Sequence, residues 1–563
     1  MKKPIPIGYE DFKQVIDEDA YYVDKTGMIK ELLDSAVSVS LFTRPRRFGK
    51  TLNLSMIQRF FEDERDRDGE PINNKSLFTG LQIIKQGQRY LRHQQQYPVI
   101  HLSLKSARQP DFHLAYAMLK QQIIEEYSRH QYILNDLVLT NAEKKRYTAI
   151  LNGANEPSLY LDALAFLSKC LAIYHQQKAL VLIDEYDVPL ENAWFEGFYE
   201  EMSTFVRSLF ESVLKTNPHL KFAVITGCLR ISRESIFTGL NNLRIYSVME
   251  TRYAECFGFT VSEVKKMLSY YELEDKYDEV KSWYDGYRFG AWEIYNPWSI
   301  MNYVDRARTE RNAFPRPYWS NTSSNSIIRE LVEQADEETR VELEQLIAGE
   351  TIEKPIHEEI TYEEIHRSQE NLWNFLYFTG YLKKIGERQQ GEEIYMELTI
   401  PNAEIRSIYR STILSWFDEK ICSVDFEPLL QAIETGDCRN MEKLISEQLL
   451  DTISFYDYAE NYYHGFLAGL LKALKKYRVF SNRESGTGRP DILMKTPFIR
   501  NGTAVIFEIK AADTYQTLKT SCERALQQIR EQNYEAAVRM EGYEAVRKYG
   551  IAFYKKECMV LEG

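Results

Sequence analysis

No two of the seven cysteines (Cys170, Cys228, Cys256, Cys422, Cys438, Cys522, Cys558) form a CxxC pair, and their total is odd. That spacing suggests neither a disulfide framework nor a zinc site. No apolar stretch approaches the roughly 18 residues that span a bilayer. Met1-Lys2-Lys3-Pro4-Ile5-Pro6 lacks the apolar core of a signal peptide. A cytoplasmic protein without a membrane partner is therefore expected. Positive charge is also scarce: the net charge is −13 and the pI about 5.5. A protein built only to coat nucleic acid is usually basic, since phosphate neutralisation supplies most of its affinity. The deficit does not exclude an enzyme acting on nucleic acid, whose metal-binding carboxylates are acidic and whose groove needs only local positive charge. Repeats of fixed period and low-complexity tracts are missing as well.

What is present is a globular balance, 44% hydrophobic and 27% charged, over 563 residues. That length is too great for one core and sets a prior of about three or four domains. The apolar run Val37–Phe42 reads as a buried strand, followed by the basic turn Arg44-Pro45-Arg46-Arg47 and a helix from Lys50 with Leu52, Met56 and Phe60 on one face. Further strands are expected at Val99–Leu104, Ala179–Ile183 and Lys221–Thr226 with helices between them, the mark of a parallel α/β sheet. This α/β domain is placed at residues 1–255.

Residues 256–424 read as a helical lid and winged-helix-like region: helices at Val261–Tyr271 and Asn371–Leu382, a hairpin arm at Tyr395–Ile400, and a helix at Ala403–Trp416. Residues 425–563 read as a second α/β domain, helical through Ala473, then strands at Asp491–Met494 and Ala504–Lys510. A helix at Thr520–Ala537 and a strand at Tyr549–Tyr554 complete it.

Between the first strand and helix stands Arg44-Pro45-Arg46-Arg47-Phe48-Gly49-Lys50-Thr51. A phosphate loop belongs at such a place, because helix-N-terminal N–H groups point outward and the dipole favours an anion. Gly49 lets the backbone approach phosphates, Lys50 reaches the β- and γ-phosphates of ATP, and the Thr51 hydroxyl ligates Mg2+. The first glycine of GxxxxGK[ST] is replaced by Arg44. Val181-Leu182-Ile183-Asp184-Glu185 supplies the second half, an apolar strand ending in two carboxylates. Asp184 is the candidate for the Mg2+ water shell and Glu185 for orienting the attacking water. Thr226, ending another strand, is a candidate γ-phosphate sensor, with a turn cap as the alternative. Arg46 and Arg47 are candidates for phosphate contact in cis or in a neighbouring subunit, with pairing to acidic surface as the alternative.

Near the C-terminus, Arg489-Pro490-Asp491 opens one strand and Phe507-Glu508-Ile509-Lys510 ends the next. Period-two geometry sends Glu508 and Lys510 to one face. Asp491 and Glu508 can then share a hard divalent cation, while Lys510 positions water and faces a developing phosphorane. Lys472, Lys475, Lys476 and Arg478 lie just upstream and offer local positive charge, with a solvated helix face as the alternative.

These stretches together resemble a bacterial and archaeal family with an AAA-ATPase-like N-terminal domain and a PD-(D/E)XK nuclease superfamily domain. Further matching pieces are Tyr22-Val23-Asp24-Lys25-Thr26, Leu182 to Asp187, Ile225-Thr226-Gly227 and Phe237 to Leu243. Others are Trp283-Tyr284-Asp285-Gly286-Tyr287, Asn296-Pro297-Trp298-Ser299, Phe378 to Leu382, and the block from Glu460 to Tyr534. The resemblance implies that the Arg44-Pro45 loop is a family form. It implies a P-loop parallel-sheet ATPase and a restriction-endonuclease-like nuclease domain. Asp491, Glu508 and Lys510 are its nuclease core, and Glu460 and Gln528 are accessory residues on flanking helices. Glu484 is the alternative to Glu460. The expected activity is an ATP-regulated nuclease using Mg2+, or Mn2+ at the nuclease site, on DNA, in defence against foreign DNA or mobile-element maintenance. The rival readings are a nucleotide-controlled signalling or scaffold ATPase that binds nucleic acid without cutting, and third a DNA translocase. AAA-type sites often lie at subunit interfaces, which makes a homo-oligomer a candidate assembly.

Overall fold

The computed structural model describes residues 2–229, 236–237, 240–321, 337–357, 369–391, 393–412, 427–450, 460–472, 474, 476–481, 490–500 and 502–563. The chain divides into two compact units, Met1–Ser323 with Glu353–Arg406, and Ser324–Ile352 with Ser407–Gly563.

The first unit is built on a five-stranded sheet of β1 (Val39–Thr43), β2 (Val99–Ser103), β3 (Ala179–Asp184), β4 (Leu220–Gly227) and β5 (Leu243–Tyr246). Its order is β2-β3-β4-β1-β5 and every pairing is parallel. All residues of β1 and β3 are buried, as continuous apolar runs must be in a sheet covered on both faces. The helix α1 (Lys50–Phe61) leaves β1 through a short loop. Because all five strands point the same way, the loops after β1, β3 and β4 gather at one carboxyl edge, where open α/β sheets bind ligands. The edge strand β5, Leu-Arg-Ile-Tyr, is an addition to the strands read from the sequence.

Two small sheets complete this unit. One joins β6 (Phe259–Thr260), β7 (Tyr287–Phe289) and β8 (Trp292–Tyr295), all antiparallel. The other has the order β10-β11-β9, with β9 at Ile352–Pro355, β10 at Lys383–Gln390 and β11 at Glu393–Thr399. The hairpin β10–β11 follows a helix at Gln369–Phe378 and precedes helical residues 403–412. That is the helix–hairpin–helix succession expected for this region; residues 413–416 of the expected second helix lie outside the described residues.

Glu404 sits in that second helix, fully buried, and accepts hydrogen bonds from the Ser299 hydroxyl (2.8 and 3.0 Å) and the Trp319 N–H (2.9 Å). Burial outweighs these donors and pushes its carboxyl up to about 7. A raised folded-state pKa gives stability that is fully present below the unfolded value near 4.5 and is lost as pH rises through 7. Glu404→Gln, which mimics the protonated form, is therefore expected to unfold later than wild type at pH 8 by an amount worth up to about 3 kcal/mol. The two melting curves should coincide near pH 5. Equal melting at both pH values would remove the assignment.

The second unit carries a mixed sheet of β12 (Arg478–Ser481), β13 (Ile492–Lys495), β14 (Thr503–Ala511), β15 (Ala545–Tyr554) and β16 (Glu557–Glu562), in chain order. Only β14 and β15 are parallel. One face packs on the helices at Glu427–Thr435, Cys438–Leu450 and Glu460–Lys472 through Phe507, Ile509, Tyr549 and Ile551. The opposite face, through Leu493, Ala504 and Ile506, packs against helices at Leu518–Glu531 and Tyr534–Met540. Those two helices replace the single one expected over Thr520–Ala537: Asn533 adopts a left-handed conformation, φ 53°, and breaks it. Asn accepts that conformation more readily than most residues.

Candidate functional site

The loop Arg44–Gly49 turns through two left-handed residues, Arg47 (φ 70°) and Gly49 (φ 82°). Glycine takes this conformation freely; at Arg47 it costs about 1 kcal/mol. Arg44, the residue in the first glycine's place, turns inward and is fully buried. Its Nη1 donates to the carbonyls of Thr43 (2.8 Å) and Tyr246 (2.7 Å), so it ties the end of β1 to the end of β5. The guanidinium lies 5.1 Å from the Phe257 ring centre and 5.2 Å from that of Phe289, and these π faces hold a cation that burial pulls down to about 10. Lys50 Nζ donates to the carbonyls of Arg44 (2.9 Å) and Pro45 (3.0 Å).

Asp184 is the meeting point of three elements. Its Oδ2 accepts from the Thr51 hydroxyl of α1 (2.6 Å) and its Oδ1 from the Thr226 hydroxyl of β4. Glu185 follows in a left-handed conformation (φ 51°), and burial together with the neighbouring Asp184 charge raises its carboxyl. Asp187 then accepts from the N–H groups of Cys228 (2.6 Å) and Leu229 (3.0 Å), and the Tyr186 hydroxyl donates to the Leu229 carbonyl (2.7 Å). Gly227 makes this closeness possible, because a Cβ there would stand 2.4 Å from the Tyr186 ring.

Gly49, Lys50, Thr51 and Glu185 line a cavity of about 420 Å³. Its wall also carries the aromatic rings of Tyr9, Tyr21, Tyr22, Phe259 and Trp298 and the cations Lys25, Lys105 and Arg108. Arg47 stacks over the Trp298 ring at 4.4 Å. Arg46 Nη2 meets Glu191 of the helix Val188–Glu196 at 2.7 Å, and Arg108 reaches the same carboxylate at 3.6 Å. Burial opposes the Arg46 charge, but Glu191 outweighs it and the guanidinium is held above its ordinary value. All eight residues singled out from the sequence for this site, Arg46, Arg47, Gly49, Lys50, Thr51, Asp184, Glu185 and Thr226, thus lie on the cavity wall or in the hydrogen-bonded group at Asp184. The aromatic wall was not read from the sequence, although Asn296-Pro297-Trp298-Ser299 shows the cap-then-proline signal of a helix start. Asn296 indeed caps the helix Pro297–Thr309. An apolar, aromatic space with a phosphate loop at one end fits a nucleotide, and the oxygens of Thr51, Asp184 and Glu185 are donors of the kind Mg2+ takes.

In the second unit, Ile492 pairs with Phe507, which puts Asp491 beside Glu508. Asp491 Oδ2 accepts from the Ile509 N–H (2.8 Å), and the Asp491 N–H approaches Glu508 Oε2 at 3.4 Å. Lys510 Nζ is 3.7 Å from Glu508 Oε1, and Glu508 is fully buried. Gly550 pairs with Glu508 on β15, and a Cβ there would meet the Cys522 carbonyl at 2.6 Å. Its absence lets the helix Leu518–Glu531 lie close to the sheet. Gln528, on that helix, hydrogen-bonds Tyr534, whose hydroxyl is raised by burial and by the charges of Glu508 and Asp491. Tyr534 is therefore a neighbour of the carboxylates whose position the sequence did not disclose. From the other face, His464 Nε2 bonds the Asp491 carbonyl at 2.7 Å. Glu460 opens that helix one turn earlier; its side chain and Glu484 lie outside the described residues. Among the described residues no three His, Cys, Asp or Glu side chains gather to hold a metal. Two hard carboxylates nevertheless suit Mg2+, which keeps several waters.

No helix among the described residues is long and apolar enough to cross a membrane. Comparison with known families matches residues 6–237 to the family described as "Predicted AAA-ATPase" and residues 458–563 to the PD-(D/E)XK nuclease superfamily. An uncharacterized protein in the vnfD 5' region of Azotobacter chroococcum mcd 1 is 26% identical over 572 residues, spanning 100% of this chain and 98% of that relative. No solved structure matches the chain. The chain thus joins an AAA-ATPase-like domain to a PD-(D/E)XK nuclease superfamily domain.

Proposed function

We propose that the protein is an ATP-regulated, Mg2+-dependent nuclease acting on DNA in the cytoplasm, in defence against foreign DNA or in mobile-element maintenance. One observation carries the nuclease reading: Asp491, Glu508 and Lys510 converge from two adjacent strands, with the Lys510 ammonium 3.7 Å from the buried Glu508 carboxylate. Mg2+ or Mn2+, when held by Asp491 and Glu508, supplies positive charge against the phosphate oxygens. Lys510 positions the attacking water and faces the charge that develops on phosphorus. Gln528 and, on the family resemblance alone, Glu460 are proposed as accessory residues.

In the ATPase, Lys50 exchanges the carbonyls of Arg44 and Pro45 for phosphate oxygens. Thr51 and Asp184 hold the Mg2+ of the nucleotide. Glu185 orients the attacking water, and Thr226, bonded to Asp184, reports the state of the γ-phosphate. Arg46 and Arg47 add positive charge at the same end.

The test is cleavage of single- and double-stranded DNA and RNA with Mg2+ or Mn2+, with and without ATP, by wild type and Lys50→Ala. Cutting that changes with ATP in wild type and not in Lys50→Ala supports ATP regulation. Cutting indifferent to ATP in both proteins removes it. ATP hydrolysis without cleavage of any substrate replaces the nuclease reading by the scaffold one.

A further inference from the structure

Resting on the nuclease reading above, we propose that the carboxyl edge of β14 and β15 is a track for single-stranded nucleic acid, with Tyr515 as its base-stacking platform. The parallel pair places Lys510 opposite Ala552 and Ala511 opposite Phe553. The residues that follow each strand therefore emerge at one edge, the edge that carries Asp491, Glu508 and Lys510. After β14 the chain runs through a short loop whose ends, Ala512 and Leu518, are buried in one cluster with Cys522 and Ala552. Within it, Thr517 Oγ1 donates to the Thr514 carbonyl (2.8 Å) and accepts from the Thr514 N–H (3.2 Å). The loop is thereby fixed at its base and by its own hydrogen bonds.

Such a loop displays Tyr515, 60% exposed, to solvent. An aromatic ring thus stands mostly outside the core on a braced turn, five residues past Lys510. Lysines stand on the segments that follow each of the two strands, beside the exposed acids Asp513 and Glu557. Lys519 is exposed on the first turn of the following helix. At the end of β15 the β15–β16 turn presents Lys555, exposed, and Lys556, half-exposed. That turn is held by the Tyr463 hydroxyl, which donates to the Lys555 carbonyl (2.9 Å).

Lysines that follow a phosphate backbone and an aromatic ring that takes an unstacked base are the two parts of single-strand recognition. A continuous duplex keeps its bases stacked and offers Tyr515 nothing but its backbone. The track therefore selects single strands, or ends that fray, and feeds the adjacent phosphate to Asp491, Glu508 and Lys510. DNA and RNA share this chemistry.

The experiment measures fluorescence anisotropy of labelled single-stranded DNA, single-stranded RNA of the same sequence and blunt duplex DNA. The full chain is used with Lys510→Ala, so that substrates survive, and cleavage is followed in parallel with Lys510 intact. Tyr515→Ala is expected to weaken single-strand binding about 5- to 150-fold, with duplex binding unchanged and Tyr515→Phe near wild type. Lys555→Ala with Lys556→Ala should weaken all ligands and reduce the salt slope by about 1 to 2. If wild type cuts while Tyr515→Ala binds and cuts single strands normally, or loses single strand and duplex equally, the track is overturned and the nuclease reading survives. Tyr515-dependent binding without any cutting retains the track and removes the nuclease. No binding of any ligand removes both. A loss on one of DNA and RNA alone identifies which sugar the track accepts.

Discussion

Lys510→Ala is expected to lower nucleic-acid cleavage by about 10²- to 10⁴-fold while ATP hydrolysis continues at the wild-type rate. The expectation comes from where the ammonium stands. Lys510 is the last inward residue before β14 ends, on the same face as Glu508 by strand periodicity, and its Nζ is 3.7 Å from Glu508 Oε1. Glu508 is fully buried, so its charge is sensitive to any neighbouring cation. Removing Lys510 therefore changes two things, the orientation of water and the local stability of a buried carboxylate. Lys510→Gln separates them, since it keeps most of the side chain and its hydrogen-bonding capacity but not its charge. Thermal unfolding of both variants checks the fold, and ATP turnover checks the other unit. A properly folded Lys510→Ala protein that cuts at the wild-type rate would sink the assignment.

What could be read in advance follows from how local each signal is. Val-Ser-Leu-Phe-Thr and Ala-Leu-Val-Leu-Ile-Asp declare central parallel strands because burial on both faces leaves no polar alternation. The pairing of Thr51 and Thr226 with Asp184 follows once those strands share a sheet, since each residue ends or follows a strand at the same edge. Asp491 beside Glu508 is likewise a consequence of strand register. Features made by distant segments left no such trace. Tyr9 and Tyr22 meet Trp298 on one cavity wall although hundreds of residues separate them from it, and no periodicity encodes that meeting. The strand β5 was hidden by its length and its single charged position at Arg244. Arg44 departs from the glycine pattern in a form that the resemblance attributes to the family, and its carbonyl and aromatic partners give the physical reason. The helix break at Asn533 is a left-handed residue in a segment whose apolar spacing runs on without interruption. Tyr534, just past the break, is carried by it to the neighbourhood of Glu508 and Asp491.

The second large effect is expected at Glu185. Glu185→Gln should cut ATP hydrolysis by about 10²- to 10³-fold and leave ATP binding intact, whereas Lys50→Ala should weaken binding itself. The two residues differ in what they face. Lys50 lies inside the phosphate loop, bonded to its carbonyls, where the charge of the phosphates would be felt in the ground state. Glu185 lines the same cavity from the end of β3, past the carboxylate that Thr51 and Thr226 hold. Its left-handed backbone is strain of the kind that persists where the surrounding structure fixes a functional side chain. Burial and the Asp184 charge raise its carboxyl. Only the ionised form can accept a hydrogen bond from water on both oxygens, so hydrolysis should rise with pH across a range displaced above that of an ordinary glutamate. Glutamine does not titrate, so the residual rate of the variant should lack that limb. Nucleotide affinity and turnover measured across pH distinguish the roles. A Glu185→Gln protein with wild-type turnover, or one that loses affinity as much as rate, would place the water-orienting group elsewhere on the cavity wall.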